Sequence, residues 1–200
     1  MISYLRDPAA IYARSFETIR AEVDFSGLPR DAEPIAVRVI HACGMTGIVE
    51  DLRISRDFAT SATAAIQRRK PVFVDAEMVR HGIIDKSLNV ICTLNDPRSI
   101  ALGNTRSATA VELWLPEIEG AIAVIGNAPT ALFALLEALD GGAPRPAAIV
   151  GFPVGFVGAA ESKEELHANS RGIPYATILG RKGGSAMAAA VINALAGAAA

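Results

Sequence analysis

Five short runs of unbroken apolar sequence constrain this chain more than any other feature: PVFV at 71–74, VICTL at 90–94, AIAVI at 121–125, AAIV at 147–150 and YATIL at 175–179. A strand with one wet face alternates apolar and polar residues, whereas a continuous run marks a strand covered on both faces, as in a parallel sheet. Helical periodicity fills the intervals at 58–69, 105–115, 129–139, 161–170 and 185–195, and two further helices precede the first run, at 8–23 and 31–43. Pro129 stands in a first helical turn, where a missing N–H costs nothing. Strand and helix in alternation predict an α/β fold, a three-layer α/β/α arrangement around a five-stranded, mainly parallel, doubly wound sheet. Two hundred residues suffice for one such domain over 1–200 with a full core.

Several function classes recede at once. A net charge of −2 gives no surface for a phosphate backbone, so no nucleic-acid partner is expected, and Gln67-Arg68-Arg69-Lys70 reads as a solvated helix end. Neither a GxxxxGK[ST] loop nor a strand followed by GxGxxG is present, which counts against a nucleotide-using transferase. Three scattered histidines without HxxxH spacing predict no metal site. Cys43 and Cys92 lie in apolar surroundings without CxxC spacing, as reduced thiols would. The N-terminal MISYLRDPAA lacks a signal-peptide layout and the C-terminal AMAAAVINALAGAAA is too short to span a bilayer, so a cytoplasmic protein with no membrane partner is expected.

A parallel sheet sends every strand-to-helix loop out of one edge, where ligands bind. Those loops here are DAEM (75–78), LNDPR (94–98), GNAPT (126–130), GFPVGF (151–156) and GRKGGS (180–185). Glycines admit close backbone approach, and a helix N-terminus beyond them offers N–H groups to an anion. The expected ligand therefore carries carboxylates or phosphates.

Of the histidines, His41 is the candidate for proton chemistry. It sits in VRVIHACG off the apolar stripe formed by Ile35, Ala36, Val39 and Cys43, just before a helix stop at Gly44. Both a plain surface histidine and an acid/base group fit that position. His81 before Gly82 reads as a helix ending, and His167 in ESKEELHANS as solvent-facing. In GNTRSA, Asn104 or Thr105 caps a helix and Arg106 opposes its dipole, which either an anionic ligand or a salt bridge would explain. GFPVGFVG presents Phe152 and Phe156 on a loop. No GxSxG elbow or Ser–His–Asp pattern is present.

Longer motifs carry a resemblance. YARSFETIRAE, VRVIHACG, VDAEMVRHGI, NTRSA, VIGNAPTALF, GFPVGFVGAAESK and GRKGGSAMAAAVINAL occur in the order found in the precorrin-8X methylmutases of cobalamin biosynthesis, over essentially the whole chain. The resemblance implies an isomerase that moves a methyl group between adjacent carbons at ring C of precorrin-8X, giving hydrogenobyrinic acid. It further implies a homodimer, no metal and no organic cofactor, and a catalytic His41 that donates a proton to the tetrapyrrole. Substrate contacts are expected from Arg14, Ser15, Arg38, Thr93, Thr105, Arg106, Ser107, Asn127, Ala128, Thr130, Val154, Gly155, Phe156, Ser162 and Lys163.

IDKSLN and LNDPRSIALGNTRSA are shorter than the family pattern, and MTGIVEDLRIS after His41 departs from it. Two alternatives stay open: a corrinoid carrier without turnover, and a cobalt-precorrin-8 methylmutase of the anaerobic route. The HACG and GNAPTALF motifs lean toward the cobalt-free substrate.

Overall fold

The structure, a computed structural model, describes residues 2, 4–100 and 104–199. Its elements are α1 (Pro8–Glu22), α2 (Glu33–Cys43), β1 (Leu52–Ile54), α3 (Phe58–Gln67), β2 (Val72–Val74), α4 (Glu77–Gly82), β3 (Val90–Cys92), α5 (Arg106–Glu112), β4 (Ile122–Ile125), α6 (Pro129–Asp140), β5 (Ala148–Gly151), α7 (Ala159–Ala168), β6 (Tyr175–Ile178) and α8 (Ser185–Ala199). The α/β class holds, and all five apolar runs are strands of one sheet.

The expected strand count of five is corrected to six among the described residues, in the order β1-β6-β5-β4-β2-β3. The additional strand, β1, pairs antiparallel with β6, Leu52 opposite Ile178 and Ile54 opposite Ala176, while every other pairing is parallel. Its sequence, Leu-Arg-Ile, is too short for an alternation to stand out. Only pairing reveals it, with Arg53 turned back to donate to the Glu50 and Leu52 carbonyls.

Alternate residues of each strand feed opposite faces. Val72, Val74, Ile122, Val124, Val150 and Ile178 join a core roofed by α2, α3, α4 and α8. Phe73, Ala123, Ile125 and Ile149 join a second core under α5, α6 and α7, with Trp114 fully buried and stacked 5.7 Å from Phe73. Both faces are thus covered, which is why the runs are continuous rather than alternating.

Two features of this layout position the site. The chain leaves β2 for the edge strand β3 and returns to β4 on the other side of β2, so the loops after β2 and β4 diverge at a topological switch point. Separately, α2 lies along α8 with Asp31, Pro34 and Ile35 beside Ala194 and Leu195. The opposite end of α2, which carries His41, therefore lies toward the first turn of α8 and the rim of loops. That end stops at Gly44, whose φ of +69° is the left-handed closure that glycine accepts at no steric cost. The chain then reaches Asp51, whose carboxylate takes Lys182 of the 180–185 loop at 3.0 Å.

Among the described residues, no helix is long and apolar enough to cross a membrane, and no three His, Cys, Asp or Glu side chains gather as a metal site. Cys43 and Cys92 are unpaired and half-buried, and burial pushes the Cys92 thiol up from its ordinary value.

Candidate active site

His41 is exposed on α2, and its ring packs against two aromatics of α1. Phe16 meets it edge-on at 5.4 Å between centroids and Tyr12 lies at 5.4 Å, tilted, with Tyr12 and Phe16 themselves 5.9 Å apart. The Arg38 guanidinium covers the Phe16 ring at 5.8 Å. These ring contacts flank the imidazole without engaging its nitrogens, and no described residue hydrogen-bonds either of them. Arg14, Ser15, Ile40 and Thr46 line the same groove, of about 500 Å³. The Arg14, Ser15, Arg38 and His41 expected from the sequence thus come together from α1 and α2.

Across the rim, the switch point is occupied by the protein itself. Asp75 follows β2 and is 1% exposed. Its Oδ1 accepts from the Gly126 N–H at 2.8 Å, and its Oδ2 accepts from the Asn127 and Ala128 N–H groups at 3.0 and 2.7 Å. Burial pushes this carboxyl up from its ordinary value, while the three N–H bonds pull it down. The expectation that the GNAPT backbone offers its N–H groups to a ligand is therefore corrected: those of 126–128 already hold an internal carboxylate. Asn127 and Ala128 remain half-buried at the rim, and the exposed Thr130 opens α6.

Thr130 also ties this loop to the next. Its Oγ1 accepts from the Thr105 hydroxyl at 2.8 Å, and Thr105 caps α5 by accepting from the Ala108 N–H at 3.2 Å. Asn104 supports the cap by accepting the Thr105 N–H at 2.8 Å. Arg106, exposed, and Ser107, half-buried, follow in the first turn. Gly103, where the shortened segment meets this motif, lies outside the described residues. On the neighbouring loop Val154 and Phe156 are exposed, Phe156 at 84%, with Arg181 5.4 Å over its ring and the Gly155 N–H donating to the Arg181 carbonyl.

Three expected contact residues face inward instead. Thr93 donates to the Ala110 carbonyl at 2.7 Å and accepts the Trp114 indole N–H at 2.8 Å, so its hydroxyl serves the core. Ser162 is buried and donates to the Ala159 carbonyl at 3.2 Å. Lys163, also buried, donates to the Lys182 carbonyl, which ties α7 to the 180–185 loop. The outer histidines are held locally: His81 lies 2.9 Å from the Glu77 carbonyl, and His167 2.6 Å from the Tyr175 hydroxyl.

Residues 10–198 match the family described as Precorrin-8X methylmutase. The chain belongs to the precorrin-8X methylmutase family. It is accordingly an isomerase, of the methyl-shifting kind, in cobalamin biosynthesis. A Precorrin-8X methylmutase of Pseudomonas aeruginosa is 57% identical over 204 residues, covering 98% of both chains. A Cobalt-precorrin-8 methylmutase of Salmonella typhimurium is 37% identical over 211 residues, covering 96% of both. The crystal structure of a precorrin-8X methylmutase from Thermus thermophilus superposes with a TM-score of 0.88 at 34% identity, over 96% of each chain.

In this methylmutase fold, sequence reading passes over two sets of residues. Tyr12 and Phe16 lie within YARSFETIRAE at helical spacing, but only the packing of α1 on α2 brings them to His41. Asp75 had a signal, since a carboxylate ending an apolar run at the ligand edge of a parallel sheet must be paired or stay in water.

Proposed function

We propose that this chain converts precorrin-8X to hydrogenobyrinic acid, and that His41 supplies the proton that assists the methyl shift. The observation carrying this reading is an exposed imidazole, flanked by Tyr12 and Phe16, with neither nitrogen engaged by a described residue and with Arg14 beside it in the groove.

The reaction is internally balanced. The methyl leaves one carbon of ring C with its bonding electrons, a bond to the adjacent carbon forms, and the conjugated double bonds shift to compensate. Nothing is gained or lost. Protonation of the macrocycle by His41 draws electron density from the framework across which the methyl moves, and the proton returns to the imidazole afterward. Histidine suits that exchange because imidazoles protonate and deprotonate near neutral pH.

Recognition is assigned to the fringe of acetate and propionate groups. Arg14 and Arg38 on one side, with Arg106 on the other, provide cations for carboxylates. Thr105, Ser107, Asn127 and Thr130 add polar contacts, with Ala128, Val154, Gly155 and Phe156 against the macrocycle. Exposed Leu5, Ile11, Tyr12 and Met45 near the groove, together with Val157 on the rim, form apolar surface that a homodimer would cover. The chain acts as one catalytic domain in the cytoplasm.

The cobalt-free ring is favoured over cobalt-precorrin-8, because the relative named for the former is 57% identical and the one named for the latter 37%. Catalysis is distinguished from carriage by adding a large excess of precorrin-8X and following visible absorbance. Many equivalents of hydrogenobyrinic acid per chain are expected. Binding of stoichiometric substrate without a spectral change would make the chain a carrier, and faster turnover of cobalt-precorrin-8 would reverse the choice of ring.

A further inference from the structure

We propose that Asp75 is a positioning residue for the tetrapyrrole: its carboxylate sets the 126–128 backbone and, through Thr130 and Thr105, the spacing of two substrate-binding loops. The inference rests on the substrate reading above and adds a residue that touches no substrate.

The geometry is specific. Asp75 stands where the loops after β2 and β4 diverge, the place in such sheets where ligands bind. Three consecutive N–H groups converge on its two oxygens, with Gly126 on Oδ1 and both Asn127 and Ala128 on Oδ2. Consecutive N–H groups of this kind form an anion cradle, and here the anion belongs to the protein. A ring carboxylate cannot use the cradle, so the cradle works as a fastening. It holds the segment whose next residues, Pro129 and Thr130, begin α6.

The fastening extends beyond one loop. The Thr130 hydroxyl receives the Thr105 hydroxyl at 2.8 Å, and Thr105 is the cap on which α5 and Arg106 depend. Displacing 126–128 therefore displaces Thr130, then Thr105, then the first turn of α5. Asp75 itself cannot follow the loop outward, because its own N–H donates to the Val124 carbonyl at 3.1 Å within the sheet.

Asp75→Asn makes the sharpest perturbation. The amide keeps one acceptor oxygen and places an amino group against N–H donors, so donor faces donor. The experiment measures KM and kcat for precorrin-8X, and Kd for hydrogenobyrinic acid by visible absorbance, in wild type, Asp75→Asn, Thr130→Val and the double variant. A rise of about tenfold or more in KM and Kd is expected for Asp75→Asn, with kcat changed by less than about threefold. Because displacing 126–128 already takes Thr130 and its hydroxyl out of place, the double variant is expected to bind no more weakly than Asp75→Asn alone. Wild-type Kd in a folded Asp75→Asn protein, or losses that add in the double variant, would overturn the proposal.

Should Asp75→Asn not fold, Asp75→Glu keeps the charge but pushes the cradle outward by one methylene. The same rise in Kd is then expected, and an unchanged Kd would again overturn it. Product affinity reads Asp75 even if the wild type proves to bind without converting, so failure of the catalytic reading and failure of this inference give different results.

Discussion

Lys163 is fully buried and its ammonium donates to the Lys182 carbonyl at 2.5 Å, fastening the 180–185 loop from beneath. Burial pulls its pKa from 10.5 down to about 8, with Asp51 opposing the shift. The unfolded chain keeps the proton up to the ordinary value. Between about 8 and 10.5 this group thus binds more protons in the unfolded state, and its own contribution to stability rises with pH across that window. Urea unfolding of wild type and Lys163→Met from pH 7.5 to 10 checks this. Wild type is expected to gain on the variant as pH rises, whereas parallel profiles would contradict the assignment.

Thr93 uses its hydroxyl twice, donating to Ala110 and accepting from Trp114. Thr93→Val keeps the shape and leaves a fully buried indole N–H without a partner, which costs about 1–3 kcal/mol. Chemical denaturation is expected to register that loss. No loss would mean that the indole finds water.

Gly126 sits where β4 meets α4 and α8. A Cβ there would lie 2.8 Å from both the Ala188 Cβ and the Val79 Cγ2, and 3.0 Å from the Ser185 Cα. Gly126→Ala is expected to destabilise the fold by about 1–3 kcal/mol through overpacking. Because the same residue donates to Asp75, hydrogenobyrinic acid affinity is expected to fall with it, and a stable variant of unchanged affinity would contradict both statements.

The sheet was legible in the sequence because both faces are covered, so β2 to β6 appear as solid apolar runs. The helix ends at Gly44 and Pro129 were legible because each residue type carries a backbone preference. Strand β1 was not, since Leu52–Ile54 is a strand only through its pairing with β6. His41 stood out by leaving the apolar stripe of its own helix, yet its setting against Tyr12 and Phe16 depends on a second helix. From sequence the GNAPT loop presents itself as an open N–H cradle because its glycine and proline signal local geometry, while the carboxylate that fills it lies some fifty residues earlier, as Gly126 and Asp75 are 51 apart. The inward turn of Thr93, Ser162 and Lys163 is likewise a matter of tertiary partners, which residue types alone do not specify.

The central step is the proton that His41 gives to the tetrapyrrole. Its most direct test is a single-turnover measurement with precorrin-8X, wild type against His41→Ala, read by visible absorbance, with hydrogenobyrinic acid affinity measured alongside. General acid catalysis of this kind contributes on the order of 10²–10⁴-fold. The variant is expected to lose that much rate while binding product within about threefold of wild type. Conversion by His41→Ala at the wild-type rate would contradict the assignment.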